Sequence, residues 1–197
     1  MKKIIALLLV IVPLQYLSAD SYDSIKKKLQ NAECLQYQII SVVESDIFET
    51  VDSTIGDAYI DKNGRYNITL GDEKYLYDLK TYYTYVASNN QLILEKGDAN
   101  SNDDILFITK LDEFYKSYIL HPDLEYRLLK KENIIGDFPD SLIIKTDKKK
   151  NEIIEISFYD INEELNRIIF ISQRYQPFCN DSLFIPNFPD SVERIKL

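Results

Sequence analysis

Residues 56–85 constrain the fold most, because apolar and polar side chains alternate along this segment. Tyr66, Ile68 and Leu70 fall on one side of an extended chain, and the residues between them are polar. The dipeptide Asn63-Gly64 precedes this stretch and supplies the positive φ that a tight hairpin needs. Tyrosine-rich stretches continue the pattern, which suits a half-buried pleated surface. The segment therefore predicts short antiparallel strands with an apolar face that other elements must cover.

The rest of the chain is predicted to be β-rich, with helices in two places. Residues 21–32 are typical of a short helix, since Ile25 and Leu29 lie four positions apart. Residues 105–118 repeat apolar side chains at spacings of three and four, which predicts one helix or two shorter ones. This second helical segment is the candidate cover for the sheet. Strands are expected at residues 34–43, 56–61, 65–70, 75–79, 81–87, 90–96, 124–131, 141–147, 151–160, 167–175 and 182–186.

Residues 1–19 are typical of an export signal. Two lysines precede the apolar stretch 4–14, and Leu17-Ser18-Ala19 is a plausible cleavage site. As a helix, residues 4–17 would span about 21 Å, short of the roughly 30 Å hydrocarbon core of a bilayer. Residues 20–197 are therefore expected to form a single exported, soluble domain. With 32 acidic and 23 basic residues the net charge is −9, which argues against binding to nucleic acid or to anionic lipid.

Residue types that carry catalysis are sparse. The one histidine, His121, stands before a proline, where a surface or capping role is more usual than general-base catalysis. One histidine and two distant cysteines do not make a zinc site, and residues 98–104 lack the glycine and distal glutamate of a calcium loop. We therefore expect neither enzymatic activity nor a metal or cofactor. Cys34 and Cys179 could form a disulfide bond or could be two small buried hydrophobic residues.

Four segments, in chain order, carry a resemblance to a known family. They are residues 56–60 (GDAYI), 62–66 (KNGRY), 78–85 (DLKTYYTY) and 184–192 (FIPNFPDSV). The second is similar to an Arg-Pro-Gly-x-Phe segment, and the last to a closing Phe-x-hydrophobic…Pro-x-Gly-Val. With these segments the mature chain resembles the periplasmic outer-membrane lipoprotein carrier family (LolA), as a divergent member.

The resemblance implies both a fold and a function. The fold would be an unclosed, strongly curved antiparallel β half-barrel covered by an α-helical lid. The protein would be a monomer in the periplasm that takes triacylated lipoproteins from an inner-membrane lipoprotein-releasing ABC transporter. It would hold their acyl chains in a hydrophobic cavity and deliver them to an outer-membrane acceptor. The alternative is a periplasmic sensor or storage module of the same fold, which binds a lipid or another hydrophobic ligand without delivering lipoprotein.

The resemblance also assigns roles to residues, with departures from the family pattern. The family arginine thought to latch the lid falls on Lys62, a turn glycine on Leu79 and a tryptophan on Tyr83. A lysine keeps the charge but loses the planar fork of arginine, so the latch would be weaker or differently made. For each residue assigned to the cavity, taken singly, ordinary core packing is the safer interpretation, and the cavity hypothesis concerns the set. The assigned residues are Leu35, Tyr37, Ile39, Ala58, Ile60, Tyr66, Ile68, Tyr83 and Tyr85 on the sheet, and Ile105, Ile108, Leu111, Phe114 and Tyr118 on the lid.

Overall fold

The computed structural model describes residues 21–97, 111–121, 125–134 and 138–197, and within them it shows one curved, unclosed sheet of twelve strands. The strands are β1 Cys34–Ser45, β2 Thr50–Asp61, β3 Tyr66–Leu70, β4 Glu73–Tyr77, β5 Thr81–Val86, β6 Gln91–Lys96, β7 Tyr115–His121, β8 Glu125–Lys130, β9 Ser141–Asp147, β10 Glu152–Tyr159, β11 Leu165–Gln176 and β12 Glu193–Lys196. Their spatial order is β12-β6-β5-β4-β3-β2-β1-β11-β10-β9-β8-β7. All neighbours pair antiparallel except β12, which runs parallel to β6.

The predicted N-terminal helix is present as α1, Ser21–Asn31. Its apolar side chains Tyr22, Ile25 and Leu29 are buried in the main hydrophobic cluster. These positions lie three, four and seven residues apart, so they form one stripe along the helix. We call the sheet face that carries this cluster the inner face, and the opposite side the outer face.

The hairpin predicted around Asn63-Gly64 joins β2 to β3. Of the residues in this turn, only Gly64 has a positive φ, at 92°. The Asp61 carboxylate organises the remainder of the turn. That carboxylate accepts hydrogen bonds from the backbone nitrogen of Arg65 at 2.8 Å and from its side-chain Nε at 2.6 Å. The hairpin prediction is confirmed, although its geometry depends on an acidic side chain that the sequence pattern did not single out.

Two predicted elements are wrong. The described part of the predicted second helix contains only α2, Leu111–Phe114, and residues 115–121 form β7. Apolar residues three positions apart also occur in a strand at the edge of a sheet, because such a strand need not alternate strictly between buried and exposed side chains. In β7, Tyr115 is buried and the five residues after it are exposed. Residues 182–186 were predicted as a strand, but Asp181–Phe184 is a 3₁₀ helix capped by Asn180. β12 was not predicted.

A second, smaller apolar cluster lies on the outer face. The C-terminal segment, residues 177–192, crosses the outer face of β3 to β6 and buries Leu76 and Leu92 together with its own Phe184 and Val192. A disulfide between Cys34 and Cys179 joins the start of this segment to β1, with the two Cα atoms 5.0 Å apart. In the described ranges no helix is long and apolar enough to cross a membrane.

Candidate hydrophobic ligand-binding face

Strand register brings most of the predicted lining residues onto the inner face. In β1 to β3, cross-strand pairing places Leu35 opposite Ile60, Tyr37 opposite Ala58, and Ala58 opposite Ile68. Because side chains alternate along each strand, partners in register share a face. The lining residues that lie buried in the inner-face cluster are Leu35, Tyr37, Ile39, Ala58, Ile60, Tyr66, Ile68 and Leu111. Their role in binding a ligand remains a prediction.

A row of tyrosines extends the inner face towards β6. The rings of Tyr66 and Tyr77 are 5.8 Å apart, and Tyr77 stacks on Tyr82 with centroids 4.2 Å apart and planes 16° from parallel. Tyr75, Tyr77 and Tyr82 are only half-buried and pack against the edge of the buried cluster. Such rings offer apolar area at little conformational cost. These three tyrosines were not predicted as site residues.

Tyr83 and Tyr85 were predicted to line the cavity, and the structure places them on the other face. Tyr83 pairs with Leu76 of the outer cluster, and both tyrosine rings pack against Phe188 of the C-terminal segment, at 5.8 and 5.6 Å. Tyr82, one position earlier, takes the inner side. The prediction failed because β5 carries tyrosines on both faces, so its sequence has no apolar–polar alternation from which the facing could be read.

The predicted lid is only partly within the described residues. Leu111 is buried in the inner-face cluster, and the Phe114 ring stacks on Phe138 at 4.7 Å. Tyr118 belongs to β7 and is 43% exposed, so it does not close the face as a helical lid residue. Ile105 and Ile108 lie outside the described residues. In the described ranges, α1 is therefore the longest helix packed on the inner face.

Lys62, the predicted lid latch, instead contacts the link between α1 and β1. Its Nζ lies 2.6 Å from a carboxylate oxygen of Glu33, and its backbone nitrogen donates to the Glu33 carbonyl at 3.1 Å. Both side chains are about half exposed, so the ion pair itself adds little stability. The nearby Arg65 makes the stronger connection, because it bonds the buried Asp61 and also Asp181 of the C-terminal segment at 2.7 Å.

Several tyrosine hydroxyls lie on the inner face or at its edge. Burial raises the pKa of the Tyr37 hydroxyl well above its usual value, with a smaller contribution from the neighbouring Tyr175. Burial likewise raises the pKa of Tyr175, assisted by the charge of Glu152, and it raises the pKa of Tyr75 to about 12, assisted by a hydrogen bond to Glu73. All three hydroxyls therefore keep their protons at neutral pH. Across the described ranges, no cluster of three or more acidic, histidine or cysteine side chains could hold a metal ion.

Comparison with known proteins adds the fold alone. No family model and no curated protein matches the sequence. An uncharacterized conserved protein from Thermus thermophilus has a similar structure, with a TM-score of 0.55 and 8% identity over 90% of this chain and 99% of that chain. A DUF1329 family protein from Desulfovibrio piger has a TM-score of 0.50 and 12% identity over 84% and 95% of the two chains. These two similarities place the chain in a fold that other proteins share.

The LolA superfamily, which the sequence resembles, is represented among the similar structures. A LolA superfamily protein from Nitrosomonas europaea has a TM-score of 0.45 and 10% identity over 84% of this chain and 97% of that chain. The fold class expected from the sequence, an unclosed and curved sheet accompanied by helix, is the one observed.

Proposed function

We propose that this protein is a periplasmic carrier that binds the acyl chains of lipoproteins on the inner face of its sheet and moves them from the inner to the outer membrane. One observation carries the proposal. A continuous apolar face spans the curved sheet from Tyr126 in β8 to Tyr82 in β5, and at β4 and β5 its half-buried edge consists of tyrosine rings. The exposed part of these rings is apolar area that an acyl chain can cover.

The energetics favour an alkyl ligand on such a face. Removing one CH₂ group from water contributes about 0.8 kcal/mol, so burying a sixteen-carbon chain contributes about 12 kcal/mol before ordering costs are subtracted. A lipid that is insoluble alone can therefore travel through water when its chains are covered. Loading and release require the cover over the inner face to move, and elements that open in this way are drawn from the least stable parts of a fold.

The surface charge also supports release from a membrane. The chain carries 32 acidic and 23 basic residues. Such a surface is repelled by anionic head groups, so the protein is expected to take up acyl chains without remaining bound to the bilayer. A carrier needs this property, whereas a membrane-anchored protein does not.

Native mass spectrometry of the protein purified from the periplasm, followed by denaturing release, tests the proposal. Co-purified triacylated peptide is the expected result and would identify the cargo. Phospholipid or free fatty acid alone would overturn lipoprotein delivery in favour of a lipid sensor or storage protein. A protein that is empty and refuses added acyl ligands would show that the inner face is simply core.

Adjacent tyrosines in β5 offer a matched pair of variants. Tyr82→Glu places a charge on the inner face, where the ring stacks on Tyr77, and Tyr83→Glu places the same charge on the outer face beside Phe188. We expect Tyr82→Glu to weaken acyl-chain binding at least tenfold, because a buried carboxylate must be desolvated when the chain binds. Tyr83→Glu should retain binding. Fluorescent fatty-acid displacement measures both affinities, and circular dichroism checks that each variant is folded.

If Tyr83→Glu abolished binding while Tyr82→Glu retained it, the ligand would lie on the outer face and the proposed site would be wrong.

A further inference from the structure

Tyr37 places an unpaired hydroxyl group at the centre of the inner face. Its side chain is 2% exposed, and its hydroxyl oxygen has no hydrogen-bond partner in the part of the chain that the structure describes. β1, which carries Tyr37, lies between β2 and β11 in the middle of the sheet order. A buried polar group without a partner destabilises a protein, and native structures rarely keep one without a reason.

The polar neighbours of Tyr37 bond to one another and leave its hydroxyl out. Gln173 lies opposite Tyr37 in the β1–β11 register, but its Nε2 donates to the Ile153 carbonyl at 2.5 Å. Its Oε1 accepts a hydrogen bond from the Tyr175 hydroxyl at 3.0 Å. On another side the Phe170 ring meets the Tyr37 ring edge-on, with centroids 5.2 Å apart. Local protein groups therefore hold the Tyr37 ring in place without using its hydroxyl.

The surroundings determine what kind of partner the hydroxyl can accept. A tyrosine hydroxyl is protonated at neutral pH and can donate a hydrogen bond, and burial raises the pKa of Tyr37 further. Lys28, which lies over the neighbouring Tyr175 ring at 4.0 Å, is already paired with Glu152 at 3.2 Å. A carboxylate bound at Tyr37 would thus have to compete with Glu152 for the Lys28 charge, and burying an unpaired charge is far more costly than burying a neutral carbonyl. A neutral acceptor is the better match.

We propose that the Tyr37 hydroxyl donates a hydrogen bond to the carbonyl oxygen of an ester- or amide-linked acyl chain on the inner face. The inference rests on the proposed function and narrows its ligand to acylated molecules, as distinct from ionised fatty acids and plain hydrocarbons. Tyr37 then acts as a specificity-determining residue. The apolar face binds the acyl chain, and the hydroxyl distinguishes an ester or amide from other linkages by a hydrogen bond to its carbonyl oxygen.

Two lipids that differ only in that linkage provide the test. 1-Palmitoylglycerol carries an ester carbonyl, whereas 1-hexadecylglycerol has the same chain length and head group joined through an ether. Titration of the full mature protein with each lipid, by isothermal calorimetry, gives the ester-to-ether affinity ratio. We expect the wild type to prefer the ester about fivefold, the size expected for one net hydrogen bond.

Tyr37→Phe should abolish this preference by weakening ester binding about fivefold and leaving ether binding unchanged. Tyr83→Phe, which removes a hydroxyl from the outer face, should keep the wild-type ratio. Infrared spectroscopy of ¹³C-carbonyl palmitoylglycerol gives an independent readout, because a donated hydrogen bond lowers the carbonyl stretching frequency. That shift should be present in the wild type and absent in Tyr37→Phe. Urea unfolding of the ligand-free variant verifies that it is folded.

The outcomes separate this inference from the proposed function. Equal affinity of the wild type for ester and ether, or an ester preference that survives Tyr37→Phe, would overturn the role of Tyr37 and leave acyl-chain binding intact. Tighter binding of palmitate than of the ester would also overturn it. Failure of the wild type to bind either glycerol lipid would remove the proposed function itself.

Discussion

The two faces of the sheet both bury apolar residues, but they are covered in different ways. On the outer face, the C-terminal segment is joined to β1 by the Cys34–Cys179 disulfide and continues into β12, which pairs with β6. On the inner face, α1 packs through side chains, including the Tyr22 ring stacked on Tyr126 at 4.9 Å. Both cysteines of the chain form this disulfide on the outer face.

The polar contacts of the C-terminal segment with the sheet also differ from those of α1. Arg65 bonds Asp61 and Asp181 and lies over the Phe184 ring at 4.5 Å, while Asn67 donates to the Leu183 carbonyl at 2.6 Å. These contacts fix the C-terminal segment against β3. For α1, the corresponding ion pair is the partly exposed one between Lys28 and Glu152. The outer cluster is therefore held by a covalent cross-link, whereas in the described residues α1 packs on the inner face through noncovalent contacts.

Loss of the disulfide should have the largest effect on the free energy of unfolding. Replacing both cysteines by alanine removes a cross-link between residues 145 positions apart, which lowers the free energy of unfolding by about 5 kcal/mol on the chain-entropy model. Urea unfolding of the double variant and the wild type measures the difference. Acyl-ligand affinity of the folded fraction should not change. A large loss of affinity at unchanged stability would mean that the Cys34–Cys179 disulfide maintains the ligand-binding geometry of the inner face.

Truncation in the outer cluster comes next. Leu76 is 0% exposed, and Leu76→Ala should lower the free energy of unfolding by about 3 kcal/mol through lost burial and the cavity left behind. Ligand affinity should stay within twofold of the wild type. Ile25→Ala in α1, also at a fully buried position, is the matched inner-face variant, and it should change affinity as well as stability. Equal effects of the two variants on binding would contradict the separation of roles.

At alkaline pH, the buried tyrosines of the inner face should lower the free energy of unfolding more steeply than those of the outer face. Burial raises the pKa of Tyr37 well above 10 in the folded protein, so its contribution to stability is complete below pH 10 and is lost as pH rises towards the folded pKa. Each such group steepens the decline by about 1.4 kcal/mol per pH unit. Tyr37→Phe should therefore flatten the fall in unfolding free energy between pH 10 and 11.

The smaller upward pKa shift of the outer-face Tyr83 makes Tyr83→Phe the control, with a smaller change in slope. Urea titrations at pH 9, 10 and 11 measure all three proteins. Identical slopes in the wild type and Tyr37→Phe would show that the hydroxyl is not shielded from water.

The smallest effect should come from a residue that belongs to neither face. Leu79, between β4 and β5, has a φ of 77°, a conformation that disfavours side chains with a Cβ atom. Leu79→Gly removes that strain but adds chain entropy to the unfolded state, so we expect a net stabilisation of about 0.5 kcal/mol. Thermal unfolding measures the change, and ligand affinity should be unaltered. A destabilised variant would mean that the Leu79 side chain makes a contact outweighing the backbone strain.

All strands except β7 and β12 were predicted from the sequence, but only clear alternation also predicted which side chains share a face. In β1 and β3 apolar and polar residues alternate, and the residues predicted from this pattern to share a face do so. β7 was mistaken for a helix because its aromatic spacing fits either period at the edge of a sheet. β12 has only four residues and is defined by its pairing with β6, a contact that no local pattern encodes.

The site was predicted in part for the same reason. The lining residues from β1 to β3 were grouped correctly on one face, while Tyr83 and Tyr85 were placed on the wrong one. Tyr75, Tyr77 and Tyr82 are now the stronger candidates for the edge of the ligand site. Neither the formation of the Cys34–Cys179 disulfide, which the sequence left open, nor the unpaired hydroxyl of Tyr37 could be deduced, because both depend on where β11 and the residues after it lie in space.

The position of β1 has a consequence for how the chain reaches its native state. Although β1 is the first strand in sequence, it lies between β2 and β11, and Cys34 pairs with Gln176 near the other end of the chain. The centre of the sheet cannot form until almost the whole polypeptide has been synthesised. Long-range pairings of this kind slow folding, so we expect the β1–β11 pairing to complete the sheet after the hairpins on either side of it have formed.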